Sequence, residues 1–253
     1  MEHITSRQNA LMTHIRKLNA SRAYRRASGE YLCDGVKLLE EALRWNAPLK
    51  TVVLSEGVDA PVLPSGVRAV RVPADVMRSI SPMETPQGAL FTVRLPDTAL
   101  PETLSGAHYL VLDGVQDPGN VGTILRTLDA AGFDGCILTP GCADPFAPKT
   151  MRATMGSLFR VPMTFVEDGA EAARWLRTNG WAVIGAELRG QPFYQRGTRP
   201  DKLCVLIGNE GAGLTEEILA QCSFRYKLPM RGGAESLNAG IAAAVMMYDL
   251  MNR

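Results

Sequence analysis

The sequence has few residues of the kinds that hold metal ions, form disulfides or cross membranes. Its 253 residues include three histidines and five cysteines, and the cysteines contain no CxxC pair. An odd, scattered set of cysteines argues against a disulfide framework, and no histidine lies near a second one at metal-ligand spacing. The N-terminus is polar, and no apolar stretch reaches membrane length. We therefore expect no metal, no membrane contact and a reduced, cytoplasmic protein whose cysteines are mostly small core residues.

Acidic residues are missing from one stretch near the N-terminus. Residues 3–29 carry no Asp or Glu, and residues 1–96 together hold 13 Lys and Arg against 9 Asp and Glu. The basic residues of this stretch are Arg7, Arg16, Lys17, Arg22, Arg25 and Arg26. Such a run suits a polyanion such as RNA, and the alternative is a solvated helix face whose acidic partners come from elsewhere in the fold.

Apolar runs of strand length alternate with helix-like stretches along most of the chain. Residues 95–106 have two prolines and no apolar periodicity, so residues 97–106 are interpreted as a linker between domains at 1–96 and 107–253. In the second domain, strict alternation predicts an α/β fold with a mainly parallel sheet and helices on both faces. Its helices are expected at 121–131, 150–159, 170–178, 216–221 and 237–251. The last of these is apolar nearly all round, which predicts burial against the sheet or a second subunit.

Three polar, glycine-containing segments follow predicted strands of this second domain. The first segment is 113–126 (DGVQDPGNVGTILR), the second is 204–214 (CVLIGNEGAGL) and the third is 228–238 (LPMRGGAESLN). Open α/β sheets bind ligands at the carboxyl ends of their strands. The second segment is neither a P-loop nor a GxGxxG fingerprint, which disfavours a nucleotide-phosphate site. The three segments are therefore the candidate site, although each one alone also fits an ordinary strand-to-helix turn.

Individual side chains in the first and third segments sharpen this hypothesis. Asn120 is a plausible N-cap for the helix that follows a turn at Asp117. Arg126 has apolar neighbours, which predicts a position near a buried stripe and a carboxylate or anion as its partner. In the third segment, Glu235, Ser236 and Asn238 precede an apolar helix. One of them suffices as a cap, so the excess favours a site.

Taken in order and spacing, the three segments resemble the SpoU, or TrmH, branch of the SPOUT RNA methyltransferases. The matching motifs are DPGNVGTILR, IGNEGAGL and LPMRGGAESLNAG. More loosely, SRQNALMTHIRKL, EYLCDGVKLLEEAL and QGALFTV resemble the L30e-like substrate-binding domain that precedes the catalytic domain in many members. The resemblance implies a deep C-terminal trefoil knot, a homodimer, S-adenosylmethionine as methyl donor and transfer to a ribose 2′-hydroxyl of RNA.

The resemblance also assigns roles residue by residue. It implies that Arg126 acts on the hydroxyl, that Asn120 and Glu210 shape the pocket, and that Ser236 and Asn238 complete the acceptor site. The residues that it assigns to the cofactor, mainly through their backbone, are Gly208, Asn209, Gly211, Leu228, Met230 and Leu237. After Asn238 the family often has a β-branched residue and a serine, whereas this chain has Ala239 and Gly240. The missing hydroxyl is expected to weaken one cofactor or loop contact.

A ribose hydroxyl is a very weak acid, so its methylation needs a proton acceptor or a stabiliser of negative charge. None of the three segments contains histidine. Because a guanidinium stays protonated, Arg126 is interpreted as orienting the hydroxyl and stabilising the transition state, with water or phosphate receiving the proton. The preferred substrate is ribosomal RNA of the large subunit, with guanosine as one candidate nucleotide. A tRNA substrate, base methylation, or a non-catalytic RNA-binding protein on this fold remain alternatives.

Overall fold

The fold is that of a computed structural model, which describes residues 1–252. Its strands are β1 (Glu2–His3), β2 (Glu30–Asp34), β3 (Leu49–Ser55), β4 (Arg68–Val72), β5 (Ala89–Arg94), β6 (His108–Leu112), β7 (Gly135–Leu138), β8 (Met163–Phe165), β9 (Ala182–Pro192), β10 (Leu203–Ile207) and β11 (Phe224–Lys227). Its α-helices are α1 (Ala10–Ala20), α2 (Arg22–Ser28), α3 (Val36–Arg44), α4 (Ala74–Ile80), α5 (Pro118–Ala131), α6 (Pro148–Thr154), α7 (Gly169–Thr178), α8 (Glu216–Leu219) and α9 (Ala239–Asn252). Short 3₁₀ turns cover Ser157–Phe159 and Phe193–Gln195.

Contacts divide the chain into two units. Unit 1 comprises Met1–Pro96 with Asp144–Phe159, and unit 2 comprises Asp97–Ala143 with residues 160–252. The predicted domain limits at 96 and 106 stay a prediction. The predicted limits do not include one feature of the structure. Residues 144–159 pack with unit 1, although in the sequence they lie between β7 and β8 of unit 2.

Unit 1 is built on a mixed five-stranded sheet in the order β1-β4-β3-β5-β2. Strand β5 runs antiparallel to both β2 and β3, whereas β4 is parallel to β1 and β3. Helix α1 begins after Asn9, whose side chain accepts a hydrogen bond from the Leu11 N–H. Its apolar positions recur every three or four residues, so that Met12, Ile15 and Leu18 face the sheet and are fully buried. This packing gives unit 1 its own core.

Unit 2 is built on a six-stranded sheet in the order β11-β9-β10-β6-β7-β8, and every pairing in it is parallel. Every residue of β6 beyond His108, of β7 and of β10 is buried, which explains why these strands read as continuous apolar runs. The predicted α/β class and mainly parallel second sheet are confirmed. The trefoil knot stays a prediction. Because the strands are parallel, the carboxyl ends of β6, β10 and β11 lie at the same edge of the sheet.

The predicted helices of unit 2 are present with different limits, and two of the differences change the interpretation. The helix expected at 150–159 ends at Thr154, because Met155 and Gly156 have left-handed φ angles of 50° and 91° that stop the helix. The last helix begins at Ala239, so residues 237 and 238 belong to the loop before it. In unit 1, Ser21 separates two helices: it ends α1, and its hydroxyl caps α2 by accepting from the Tyr24 N–H. Within residues 1–252, no helix is long and apolar enough to span a membrane.

Candidate active site

The polar parts of the three segments lie at the carboxyl ends of three parallel strands of unit 2. The first follows β6, the second continues from β10, and the third follows β11. Strands β6 and β10 are neighbours, with Leu112 paired to Ile207 at their carboxyl ends. The structure therefore brings the first two segments together directly, and hydrogen bonds join the third to them.

The Glu210 carboxylate, in the second segment, binds three donors of the first segment. Its Oε2 accepts from the backbone N–H of Gln116 at 3.0 Å, and its Oε1 accepts from the N–H of Asp117 at 3.1 Å. Oε1 also accepts from Nδ2 of Asn120 at 2.9 Å. A carboxylate accepts and never donates when ionised, so all three contacts favour its charged form.

Asn120 connects Glu210 to the third segment. Its Oδ1 accepts from Nδ2 of Asn238 at 2.8 Å, and Asn238 in turn accepts through Oδ1 from the Gly240 N–H at 2.8 Å. The orientation of both carboxamides follows from chemistry. Glu210 can only accept, so Asn120 must present its NH₂ group there, and the helix N–H groups can only donate to an oxygen of Asn238. The three segments are thus joined by one directional chain of hydrogen bonds.

The same contacts set the protonation of Glu210. Partial burial alone would raise the pKa of this carboxyl, but the hydrogen bonds from Asn120, Gln116 and Asp117 outweigh it and lower the pKa below its ordinary value. Glu210 therefore remains ionised at neutral pH. It is exposed at the surface of unit 2, whereas its partner Asn120 is buried.

The start of α5 differs from the prediction, which made Asn120 the N-cap. The cap is Asp117, whose Oδ1 accepts from the Asn120 N–H at 2.8 Å, and Pro118 occupies the first helical position. Proline is favoured there because its missing N–H would have no partner in the helix. Asn120 lies in the first turn, which leaves its side chain available for Glu210 and Asn238.

The second segment is shaped by backbone contacts. A Cβ on Gly208 would lie 2.2 Å from the carbonyl carbon of Gly213, so only glycine fits at this position. Asn209 holds the turn, because its Oδ1 accepts from the N–H of Gly211 at 2.9 Å and of Ala212 at 3.0 Å. Its Nδ2 donates to the Gly114 carbonyl at 2.8 Å. The side chain of Asn209 is thus occupied within the protein by contacts to Gly114, Gly211 and Ala212.

The third segment is the most exposed part of the site. Leu228 and Met230 are half-buried, and Leu237 is 38% exposed. Ser236 is exposed as well, and within residues 1–252 its hydroxyl takes no part in the chain that joins Asn238 to Asn120. The structure therefore brings Asn238 together with Asn120 and Glu210, and leaves Ser236 at the surface beside them.

The prediction that Arg126 lies near a buried stripe is wrong. The sequence neighbours Ile124, Leu125 and Leu128 are among the buried positions of α5, whereas Arg126 shares an exposed face with Thr123. Residues three apart in a helix lie on one face, so the sequence neighbours of Arg126 do not share its environment. Its guanidinium takes part in none of the ion pairs formed among residues 1–252, and it is free to meet a ligand.

One member of the predicted RNA-binding set is also corrected. Arg25 is 4% exposed, and its Nη2 lies 2.5 Å from Oδ2 of Asp144 inside unit 1. It is a structural residue and not an RNA contact. Of the remaining set, Arg7, Lys17 and Arg26 are exposed and Arg16 and Arg22 are half-buried. Arg7 pairs with Asp75 at 2.8 Å.

The sequence interpretation missed Thr139, which lies directly after β7. Its hydroxyl accepts from the Gly114 N–H at 3.1 Å and donates to Oδ1 of Asp113 at 2.7 Å. The signal was available, because Thr139 is a polar residue at a strand end like the three segments. No group of His, Cys, Asp and Glu within residues 1–252 is arranged to hold a metal ion.

Two family matches cover most of the chain. Residues 107–248 match the SpoU rRNA Methylase family, and residues 9–90 match the MRM3-like substrate binding domain. The resemblance drawn from the three segments is thereby confirmed.

Individual proteins similar to this chain agree with those matches. The chain is 32% identical to the 23S rRNA (guanosine(2553)-2′-O)-methyltransferase RlmP of Bacillus subtilis, over 99% of both chains. It resembles the AdoMet-bound rRNA methyltransferase of Sinorhizobium meliloti with a TM-score of 0.87 and 29% identity, covering 99% of this chain and 97% of that one. The SpoU methyltransferase AviRb of Streptomyces viridochromogenes, in complex with AdoMet, gives a TM-score of 0.82 and 27% identity, covering 97% and 98%.

Proposed function

Because this chain belongs to the SpoU rRNA methylase family, we propose that it transfers a methyl group from S-adenosylmethionine to a ribose 2′-hydroxyl in large-subunit ribosomal RNA. The observation that carries the proposal is the hydrogen-bonded chain from Asn238 through Asn120 to Glu210, which joins the three segments. The Bacillus subtilis relative, similar over its whole length, is described as a 23S rRNA guanosine 2′-O-methyltransferase. That description supports ribosomal RNA as the substrate class.

The second and third segments fit the methyl donor. S-adenosylmethionine supplies a methyl group on a positively charged sulfur. The residues that would hold it are Gly208, Asn209, Gly211, Leu228, Met230 and Leu237. The absent side chain at Gly208 keeps the end of β10 against the Gly213 backbone, and the half-buried Leu228 and Met230 offer apolar contact. Such a cradle of backbone and apolar groups suits a small, partly apolar cofactor.

Side chains at the edge of this cradle handle the hydroxyl. Arg126 points from the exposed face of α5 and donates hydrogen bonds to the acceptor oxygen, which stabilises negative charge as it develops. Asn120 and Glu210 fix the wall of the pocket, and Asn238 and Ser236 complete it. The proton leaves to water or to an RNA phosphate. Alignment of the two reactants can supply ~7–11 kcal/mol of barrier reduction, so a rigid wall matters as much as the charge.

RNA binding is assigned to unit 1, through Arg7, Arg16, Lys17, Arg22 and Arg26. Its match to a substrate binding domain supports this assignment. The cytoplasm is the proposed location of the protein.

The partner of α9 is proposed to be a second copy of the chain. Helix α9 packs one side against α5, yet Ile241 is 50% exposed and Tyr248 is 46% exposed. These residues lie seven positions apart on one face, which would bury an apolar stripe in a homodimer. Sedimentation of the wild-type protein should show a dimer, and Ile241→Glu should shift it to a monomer. A monomeric wild-type protein would contradict this part of the proposal.

Transfer of labelled methyl groups tests the function itself. The protein is incubated with labelled S-adenosylmethionine and an unmethylated mixture of 23S rRNA, 16S rRNA and tRNA, which are then separated. We expect label in 23S rRNA, whereas label in tRNA alone would contradict the proposed substrate. Calorimetry with S-adenosylmethionine separates an enzyme from a non-catalytic binding protein, because a degenerate site gives no binding heat.

A further inference from the structure

Residues that follow two neighbouring strands form hydrogen bonds with the backbone N–H and carbonyl of Gly114. Gly114 follows β6 and has a φ of +64°, a conformation that favours glycine. Its N–H donates to Oγ1 of Thr139 at 3.1 Å, and its carbonyl accepts from Nδ2 of Asn209 at 2.8 Å. Thr139 follows β7 and Asn209 follows β10, so the turn after β6 is fixed by the strands on either side of it.

The hydroxyl of Thr139 is fully engaged within the protein, because it accepts one hydrogen bond and donates another. Its proton points to Oδ1 of Asp113 at 2.7 Å, which is nearer than the Pro140 carbonyl at 3.3 Å. The residue is 4% exposed. Gly169, at the start of α7, closes over this pair, since a Cβ there would lie 3.0 Å from Oδ1 of Asp113 and 3.1 Å from Cγ2 of Thr139. Thr139 is therefore enclosed and contacts no substrate.

The Gly114 turn sets the direction of the backbone at Gln116 and Asp117. The N–H groups of Gln116 and Asp117 both donate to Glu210, and their direction depends on how the chain leaves Gly114. Glu210 then holds Asn120, which holds Asn238. A change at the Gly114 turn thus reaches the wall of the acceptor pocket through hydrogen bonds.

We propose that Thr139 is a positioning residue for methyl transfer: it fixes the Gly114 turn that aims the Gln116 and Asp117 N–H groups at Glu210. The inference rests on the proposed function. It assigns a role in catalysis to a buried hydroxyl outside the three segments, acting on the acceptor side of the site and not on cofactor binding.

The test compares Thr139→Val, which keeps the shape and removes the hydroxyl, with Thr139→Ser, which keeps the hydroxyl. Thr150→Val is the matched control, because Thr150 is fully buried in unit 1 and its hydroxyl has no partner within residues 1–252. All are assayed at a temperature where each is folded, for kcat, for KM towards RNA and for the Kd of S-adenosylmethionine by calorimetry.

Thr139→Val should lower kcat about tenfold, as expected for a lost hydrogen bond that orients a site. Its KM towards RNA and its Kd for the cofactor should stay within about twofold of the wild type. Thr139→Ser and Thr150→Val should keep kcat within about twofold. Gly114→Ala strains the same turn and should lower kcat in the same way, so the test stands even if Thr139→Val does not fold.

Wild-type kcat in folded Thr139→Val or in Gly114→Ala would overturn the proposal, as would failure of Thr139→Ser to restore kcat. Equal losses of kcat and cofactor affinity would also overturn it, because they indicate general disruption. The wild-type protein in the same assay distinguishes failure of the proposed function from failure of the role of Thr139. If it transfers no methyl group to any RNA, the proposed function fails, whereas an active wild type with an equally active Thr139→Val removes only the role of Thr139.

Discussion

Asn120 donates through Nδ2 to Oε1 of Glu210 over 2.9 Å, although the two residues are 90 positions apart in the sequence. The contact joins the segment after β6 to the segment after β10. Because Asn120 also accepts from Asn238 at 2.8 Å, one buried carboxamide ties together all three segments of the site. The geometry of the proposed acceptor pocket therefore depends on the donor that Asn120 presents to an ionised carboxylate.

Replacing that donor with an acceptor should stop methyl transfer. Asn120→Asp keeps the size of the side chain but places a second carboxylate against Glu210, so we expect kcat to fall about 100-fold at neutral pH. Lowering the pH should restore part of the activity, because a protonated carboxyl can again donate to Glu210. Asn120→Ala is the control, since it removes the donor without adding charge and should show no such recovery. Identical pH profiles for the two variants would contradict this account.

Glu210 should contribute stability that disappears in acid. Its pKa is lowered in the folded protein, so the contribution is complete above the ordinary glutamate pKa of about 4.3 and is lost as the pH falls through the folded value. The measurement is thermal unfolding of the wild type and Glu210→Gln between about pH 7 and pH 3. We expect the difference in Tm to shrink towards the acid end. A difference independent of pH would show that ionised Glu210 does not hold this loop.

Gly208 should be irreplaceable for cofactor binding. In Gly208→Ala the added Cβ would lie 2.2 Å from the Gly213 carbonyl carbon, so the loop must move. Calorimetry should show that the affinity for S-adenosylmethionine falls at least about tenfold, which is about 1.4 kcal/mol. Gly197→Ala is the matched control, because nothing lies within 4 Å of the Cβ position there. Wild-type affinity in Gly208→Ala would remove the second segment from the cofactor site.

Replacement of Arg25 should affect the stability of the protein, whereas replacement of Lys17 should affect its RNA binding. Arg25→Ala leaves the Asp144 carboxylate, whose side chain is only 11% exposed, without its arginine partner, so we expect the free energy of unfolding to fall by about 3 kcal/mol. Lys17→Ala removes an exposed charge and should change that free energy by less than about 0.5 kcal/mol. It should instead weaken RNA binding and reduce the salt dependence of the affinity by about one ion. Chemical unfolding and RNA titrations at several salt concentrations measure both effects, and an unchanged stability of Arg25→Ala would refute the structural role.

The sequence predicted which strand-end segments lie together better than it predicted the surroundings of single side chains. Strand-end positions placed Glu210 and Asn238 in one site, because apolar runs reveal buried parallel strands. The environment of Arg126 was misjudged, since apolar neighbours in sequence lie on other faces of a helix. The partner of Arg25 was out of reach, because Asp144 is 119 residues away and lies in a segment that packs with unit 1.

Two local errors had signals that could have been used. The Asp-Pro pair at 117 and 118 is a better helix start than Asn120, because proline is favoured at the first helical position. Gly156, after Met155, marks a helix end in the stretch that was expected to remain helical to 159. Thr139 shows a different limit. Its position after β7 was visible in the sequence, but the Gly114 turn that it holds depends on how three strands pair.

Mapping of alkali-resistant bonds in RNA tests the central claim most directly. Alkaline cleavage requires the ribose 2′-hydroxyl, so methylation of that group leaves a gap at one position of the cleavage ladder. We predict one new gap in 23S rRNA after treatment with the wild-type protein and S-adenosylmethionine, and none after treatment with Arg126→Ala. A methylated RNA whose ladder has no gap would contradict the account, because the methyl group would then lie on a base.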